Sequence, residues 1–202
     1  LVGSEMCIRD RYSHGAPAGQ PDAPVLPDRG RCGYTGPWED RGVKRILALR
    51  HAKAVDRDQA GSDAERPLTE GGRRDAQSLG ALLRREGPRP DAVLCSPAAR
   101  ALQTAGLVVE ALGSGGDPRV ESSLYDGGAQ EYLAALRRTP DGVGCLLVVG
   151  HNPAMEEMVR LLTGGDVTLK TCRLAVLDTP VDRWSDVAPS GARLASLLGP
   201  RG

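Results

Sequence analysis

The sequence predicts an α/β fold, a three-layer α/β/α sandwich around a mostly parallel central sheet, and three observations support this. First, short apolar runs alternate with longer amphipathic runs from Val43 onward, as in successive strand–helix units. Second, the run over residues 144–149 is almost continuously apolar, as in the centre of a parallel sheet. Third, three of the apolar runs end in polar residues, at the edge where open α/β sheets bind ligands.

The first part of the chain differs from the rest. Residues 1–42 contain many prolines and glycines and no periodic apolar pattern, so they bury too little surface to offset their ordering entropy. We expect this segment to be disordered, or spurious with Val43 as the native start, because residues 4–10 resemble a translated sequencing adapter. We therefore predict an α/β domain at 43–180 and a C-terminal tail at 181–202.

The first strand–helix unit begins with a strand at residues 44–50. A polar loop rich in Asp and Gly follows at 55–66. Thr69 is a favourable N-cap, and the apolar side chains after it recur at 3–4 spacing as far as about Gly87. This pattern predicts an amphipathic helix that covers the sheet.

The second unit begins with a short buried strand at residues 91–95. Ser96 as N-cap and Pro97 as the first helical residue then predict the start of a helix that ends at Leu112. Arg100 falls in the first turn of this helix. Anions bind readily there because the helix N-terminus is its positive end.

The third unit is longer. Residues 118–124 predict a short strand, 125–128 a turn, and 129–138 a helix, before the apolar strand at 144–149.

A further helix follows that strand. Asn152 as N-cap and Pro153 at the first helical position predict its start, and its apolar stripe extends to Leu162. The last strand is predicted at 172–177, and the apolar cluster at 194–198 as one turn of helix.

The composition argues against several classes of protein. The formal net charge is zero and aromatic residues make up 3% of the chain, so we expect no nucleic-acid partner. No apolar run approaches the roughly 18 residues that span a bilayer, and we expect no membrane association. The five cysteines form no CxxC pair. We therefore expect a reducing, cytoplasmic location, without disulfides, cofactors or metal.

The predicted strand ends bring chemically related residues to one sheet edge. If the strands are parallel, Arg50, His51, Arg100 and His151 meet there. Arginine binds phosphate through two parallel hydrogen bonds, and neutral histidine can form a covalent intermediate. The group predicts a phosphoryl-transfer site with His51 as the nucleophile.

Four short motifs resemble those of one known family. They are Leu-Arg-His-Ala-Lys at 49–53, Arg-Pro-Leu-Thr-Glu-Gly-Gly at 66–72, the run at 96–105 and Gly-His-Asn-Pro at 150–153. In order and spacing they resemble the histidine phosphatase superfamily, with its phosphoglycerate mutase-like fold. Within it, they are most similar to the bacterial SixA-type phosphohistidine phosphatases.

The resemblance implies a role for each predicted site residue. His51 becomes phosphorylated, Arg50, Arg100 and His151 hold the phosphoryl oxygens, and water then regenerates the enzyme. The implied substrate is a phosphorylated protein carrying phosphohistidine, or a small phosphorylated metabolite. We expect the two arginines to lower the pKa of His51 and keep it neutral. No metal is implied, so EDTA should leave turnover intact.

The sequence departs from the larger family members at the general acid. Asp126 lies nearest the position where they carry a glutamate, although it also fits an ordinary turn. A weak acid suits a leaving group that departs easily, such as the imidazole of phosphohistidine. A small-metabolite phosphomonoesterase or a phosphomutase of the same superfamily is the alternative.

The sequence also bears on two further alternatives, a cysteine phosphatase and a non-catalytic phosphate-binding module. A cysteine phosphatase needs five residues between its cysteine and arginine, whereas four separate Cys95 from Arg100. A non-catalytic phosphate-binding module would lack the nucleophile or an arginine, and all of these residues are present.

Overall fold

One mixed sheet organises the part of the chain that the structure, a computed structural model, describes, namely residues 42–113 and 116–200. The predicted disordered segment at 1–42 lies, except for its last residue, outside these ranges. The strands are β1 (Lys44–Arg50), β2 (Ala92–Cys95), β3 (Arg119–Val120), β4 (Cys145–Gly150), β5 (Leu174–Thr179) and β6 (Arg193–Leu198). The α-helices are α1 (Glu70–Glu86), α2 (Ala99–Leu112), α3 (Ser123–Asp126), α4 (Ala129–Arg137) and α5 (Ala154–Thr163).

The six strands are ordered β3-β2-β4-β1-β5-β6. Strand β4 is parallel to both β1 and β2, and β2 is parallel to β3. Strand β5 is antiparallel to both β1 and β6. The register pairs Arg50 with Gly150 and Cys95 with Val149, so β1, β2 and β4 all end at one edge. The predicted α/β fold with a mostly parallel sheet is confirmed.

Helices cover both faces of the sheet. Alternate residues of a strand face opposite sides, and in β1 Ile46 packs in the cluster with Met158 of α5 while Leu47 packs in the cluster with Leu79 of α1. Helices α1 and α2 thus cover one face and α4 and α5 the other. No described helix is long and apolar enough to cross a membrane.

Of the three predicted helix caps, only Thr69 acts as one. Its hydroxyl accepts a hydrogen bond from the backbone N–H of Gly72 at 3.0 Å. The predictions for Ser96 and Asn152 are wrong, because α2 begins after Ala98 and α5 after Pro153, neither with a side-chain cap. The Ser96 and Asn152 side chains instead bond to groups around the strand ends, as described below.

The C-terminal part of the chain differs most from its prediction. The last predicted strand begins at Leu174 instead of Cys172, because Cys172 has a left-handed φ of 59° that a strand cannot accommodate. The helix turn predicted at 194–198 is wrong, since these residues lie in β6 and pair with β5. Residues assigned to the tail at 181–202 therefore supply an edge strand, and the domain boundaries themselves stay predictions.

Candidate active site

Two histidines lie together where parallel strands β1 and β4 end. His51 follows β1 directly and His151 follows β4. The backbone N–H of His51 donates to the carbonyl of Gly150 at 3.0 Å, which extends the ladder by one residue and fixes both strand ends. The ring centroids of the two histidines are 5.1 Å apart. The sheet thus places the two imidazole rings next to each other at its carboxyl edge, where the sequence predicted that they would meet.

The ring of His51 is held with one nitrogen turned to the backbone. Its Nδ1 lies 2.7 Å from the carbonyl oxygen of Ala52, and a carbonyl can only accept, so Nδ1 carries the proton of the neutral ring. Burial, together with the positive charges of Arg100 and Arg50, lowers the pKa of His51 from 6.5 to about 4. The imidazole is therefore neutral at pH 7, with a free electron pair on Nε2.

His151 is buried and has one free nitrogen. Its Nε2 lies 2.8 Å from the hydroxyl of Ser96, whereas its Nδ1 is buried without a hydrogen-bond partner. Burial and the neighbouring His51 lower the pKa of His151 to about 3. A buried polar atom without a partner is costly, so Nδ1 is a site at which a ligand can bind.

Arg50 and Arg100 are both anchored by backbone carbonyls. Arg50 donates from Nη1 to the carbonyl of Leu169 at 2.8 Å, while its Nε is buried without a partner. Arg100 donates to the carbonyl of Asp63 from Nη1, and its side chain is only 9% exposed. In addition to burial, the positive charges of both guanidinium groups lower the pKa of His51 and that of His151. All four predicted site residues therefore interact electrostatically.

Asp63 is a site residue that sequence analysis missed. Its carboxylate accepts from Arg100 at 2.9 Å, from Arg66 at 2.8 Å and from the hydroxyl of Tyr125 at 3.0 Å. The hydrogen bond from Arg66 is the largest cause that holds the pKa of Asp63 well below its usual range. The carboxylate is thus ionised at neutral pH. The sequence signal that could have indicated Asp63 is its position three residues before Arg66, within the polar loop at 55–66.

Tyr125 is the second missed residue. Its ring lies edge-on to that of His151, with centroids 5.9 Å apart, and the guanidinium carbon of Arg100 lies 6.0 Å from its centroid. Asp126, the candidate general acid, is exposed at the end of α3 and makes no side-chain hydrogen bond to a described residue. At this turn Tyr125, and not Asp126, contacts a site histidine, His151.

Cys95, the nucleophile that a cysteine phosphatase would need, is not in a state that favours thiolate chemistry. Burial raises the pKa of Cys95 to about 12, and its thiol donates to the carbonyl of Ser96. A protonated thiol is a poor nucleophile, so Cys95 is a core residue. Nor do the described residues form any group of three or more His, Cys, Asp or Glu that could hold a metal ion.

Comparison with known proteins agrees with this geometry. The family model for the histidine phosphatase superfamily (branch 1) matches residues 46–133. A solved structure from Nakamurella multipartitia, assigned as the phosphohistidine phosphatase SixA, is 32% identical with a TM-score of 0.70 and covers 80% of this chain and 98% of its own. The chain belongs to the histidine phosphatase superfamily.

Further relatives place this histidine phosphatase in the SixA-type branch. A structure assigned as SixA from Agrobacterium tumefaciens is 30% identical, with a TM-score of 0.67, over 78% of this chain and 98% of its own. An uncharacterised protein of Mycobacterium tuberculosis is 34% identical over 164 residues, which are 76% of this chain and 100% of that protein. The chain is thus a phosphatase of the histidine-nucleophile type.

Proposed function

We propose that this histidine phosphatase hydrolyses phosphohistidine through a covalent phosphoryl intermediate on His51. The observation that carries the proposal is the state of Asp63, the carboxylate beside the histidines. Its bonds to Arg66, Arg100 and Tyr125 keep it ionised, so it holds no proton to give to a leaving group at neutral pH. The phosphorylated imidazole of phosphohistidine needs no such acid, because it can bind its proton from water before it reaches the site.

In the first step, Nε2 of His51 attacks the phosphorus atom. The substrate's P–N bond breaks, and its electron pair leaves with the imidazole, which departs neutral with a proton on its other nitrogen. Phosphorylated His51 keeps its Nδ1 proton, which the carbonyl of Ala52 accepts. One P–N bond replaces another, so the transfer is close to balanced in free energy.

The charge on the transferring phosphoryl group is spread over its oxygens, so catalysis depends on positioned positive charge and hydrogen-bond donors. In this proposal the contacts come from Arg50, whose Nε is unpartnered, from the N–H groups that Arg100 does not use on Asp63, and from the free Nδ1 of His151. A neutral imidazole carries its proton on one nitrogen. When the Ser96 hydroxyl donates to Nε2 of His151, the proton of that ring is therefore on Nδ1, which can donate to a phosphoryl oxygen.

In the second step, water attacks the phosphorus of phospho-His51. The P–N bond breaks, its electron pair returns to Nε2, and phosphate leaves with the oxygen of the water. The neutral form of His51 is thereby restored. The partner we propose is a phosphorylated protein carrying phosphohistidine, which is supported by the 32% and 30% identities to proteins assigned as the phosphohistidine phosphatase SixA. The location we propose is the cytoplasm.

The test is mass spectrometry after a rapid, acid-free quench. The enzyme is mixed with a phosphohistidine protein or, separately, with an aryl phosphate, and His51→Ala runs in parallel. We expect a phosphoryl adduct on His51, loss of turnover in His51→Ala, and faster turnover of the phosphohistidine protein. Faster turnover of the aryl phosphate would instead support a small-metabolite phosphomonoesterase. An adduct on another residue, or none with either substrate, would contradict the mechanism.

A further inference from the structure

The carbonyl oxygen of Leu169 anchors Arg50, and a second side chain shares it. Arg50 donates to this oxygen from Nη1 at 2.8 Å, and Asn152 donates from Nδ2 at 3.1 Å. Leu169 is fully buried. The position of this one carbonyl therefore sets the direction of the Arg50 guanidinium, including that of its unpartnered Nε.

Leu169 lies between α5 and β5, where residues 164–173 form no helix or strand. No regular backbone ladder holds Leu169 itself. Backbone hydrogen bonds tie the end of this segment to Arg50 through Cys172 and Arg173, and side chains hold Leu169. Glu156, in the first turn of α5, accepts from the backbone N–H of Leu169 at 2.7 Å. The same carboxylate oxygen accepts from Nδ2 of Asn152 at 2.8 Å. Glu156 thus holds Leu169 directly and holds Asn152 against it.

We propose that Glu156 is a positioning residue that directs Arg50 toward the phosphoryl group, acting through Leu169 and Asn152. Hydrogen bonds to an ionised carboxylate are shorter and stronger than neutral ones, so this clamp resists movement of the loop. With Nη1 held by Leu169, the Arg50 guanidinium keeps one direction, and its Nε is buried without a hydrogen-bond partner. This inference rests on the proposed phosphoryl site and adds a residue that touches neither substrate nor nucleophile.

The first experiment compares Glu156→Gln with Glu157→Gln, a control at the exposed neighbouring position. Binding of tungstate, a phosphoryl analogue, is measured by calorimetry along with kcat and KM. Loss of the charged acceptor weakens the two hydrogen bonds that hold Leu169 and Asn152, so we expect the dissociation constant for tungstate to rise about tenfold in Glu156→Gln. Glu157→Gln should match the wild type. If Glu156→Gln does not fold, Glu156→Asp replaces it, with the same expected weakening.

The second experiment separates a positioning role from a structural one. In an Arg50→Lys background, which has lost the guanidinium that Leu169 holds, Glu156→Gln should weaken tungstate binding no further, because the two residues act in series. Additive losses, unchanged binding in the single variant, or a lower melting temperature with unchanged binding would each overturn the inference. Wild-type protein that binds tungstate but does not turn over phosphohistidine would count against the proposed function alone.

Discussion

Arg100 donates two hydrogen bonds to Asp63. Its Nη1 donates to the backbone carbonyl, and its Nη2 donates to the carboxylate at 2.9 Å. One residue of the loop between β1 and α1 therefore fixes an arginine of α2. The backbone N–H of Ala99 also donates to the carbonyl of Ala64 at 2.8 Å, which ties the same loop to the start of α2. The loop thus lies against Arg100 and the start of α2, beside the candidate active site.

We expect Asp63→Asn to reduce kcat/KM about tenfold, because the loss of a charge-assisted hydrogen bond leaves Arg100 free to turn from the phosphoryl group. Steady-state kinetics with either substrate measures the change. Asp58→Asn, at an exposed position of the same loop, is the matched control and should leave kcat/KM unchanged. A rise in kcat/KM for Asp63→Asn would instead mean that Asp63 competes with substrate for Arg100.

The two histidines should titrate at acidic pH. Burial is the largest cause of the low pKa of each ring, about 4 for His51 and about 3 for His151. A lowered pKa extends the neutral, nucleophilic form to more acidic solution, so His51 should lose its nucleophilicity only as the pH falls through about 4. NMR titration of the imidazole resonances, assigned with His51→Ala, measures this directly. A midpoint for His51 near the ordinary value of 6.5 would contradict the burial argument.

Ser96 should affect both stability and turnover through its hydrogen bond to His151. Ser96→Ala removes the partner of the buried Nε2 and leaves that nitrogen unsatisfied, which costs about 1–3 kcal/mol of the free energy of unfolding. We also expect kcat/KM to fall about tenfold or more, because the ring loses the contact that sets its tautomer and orientation. Urea unfolding and kinetics measure the two effects. Ser78→Ala, at an exposed position of α1, should change neither.

Gly150 is needed at the end of β4 because no side chain fits there. A Cβ at this position would overlap the ring and hydroxyl of Tyr132, a fully buried residue whose Oη also accepts from the backbone N–H of His151 at 3.2 Å. We expect Gly150→Ala to lower the free energy of unfolding by about 1–3 kcal/mol, as overpacking does, and to displace His151.

The control for that prediction is Gly106→Ala. Gly106 is exposed on α2, and nothing lies within 4 Å of an added Cβ. Alanine favours a helix interior over glycine by about 0.8–1.0 kcal/mol, so this variant should be as stable as the wild type or more so. Thermal unfolding of both variants by circular dichroism tests the pair, and equal stabilities would show that Tyr132 can move aside.

Sequence patterns predicted the elements that are locally determined. The β1 run and the α1 cap at Thr69 depend on residues close in sequence, and both lie where the pattern indicated. Arg50, His51 and His151 were predicted to share one sheet edge because each stands at a strand end, and parallel strands bring their carboxyl ends to one edge. The contact between the two histidines depends in addition on β1 and β4 being neighbours in the sheet, which the sequence did not show.

Contacts between distant or irregular segments were decided by the tertiary structure alone. Ser96 and Asn152 fit the composition of a helix cap, yet their side chains bond to His151 and to Leu169, because buried polar groups near the site compete for them. Asp63 lies in a loop without periodicity, so no pattern could predict that it meets Arg100 and Tyr125. The sequence by itself determined the fold class and the chemistry at the strand ends. Tertiary packing decided how that chemistry is oriented, since orientation depends on hydrogen bonds between residues far apart in the chain.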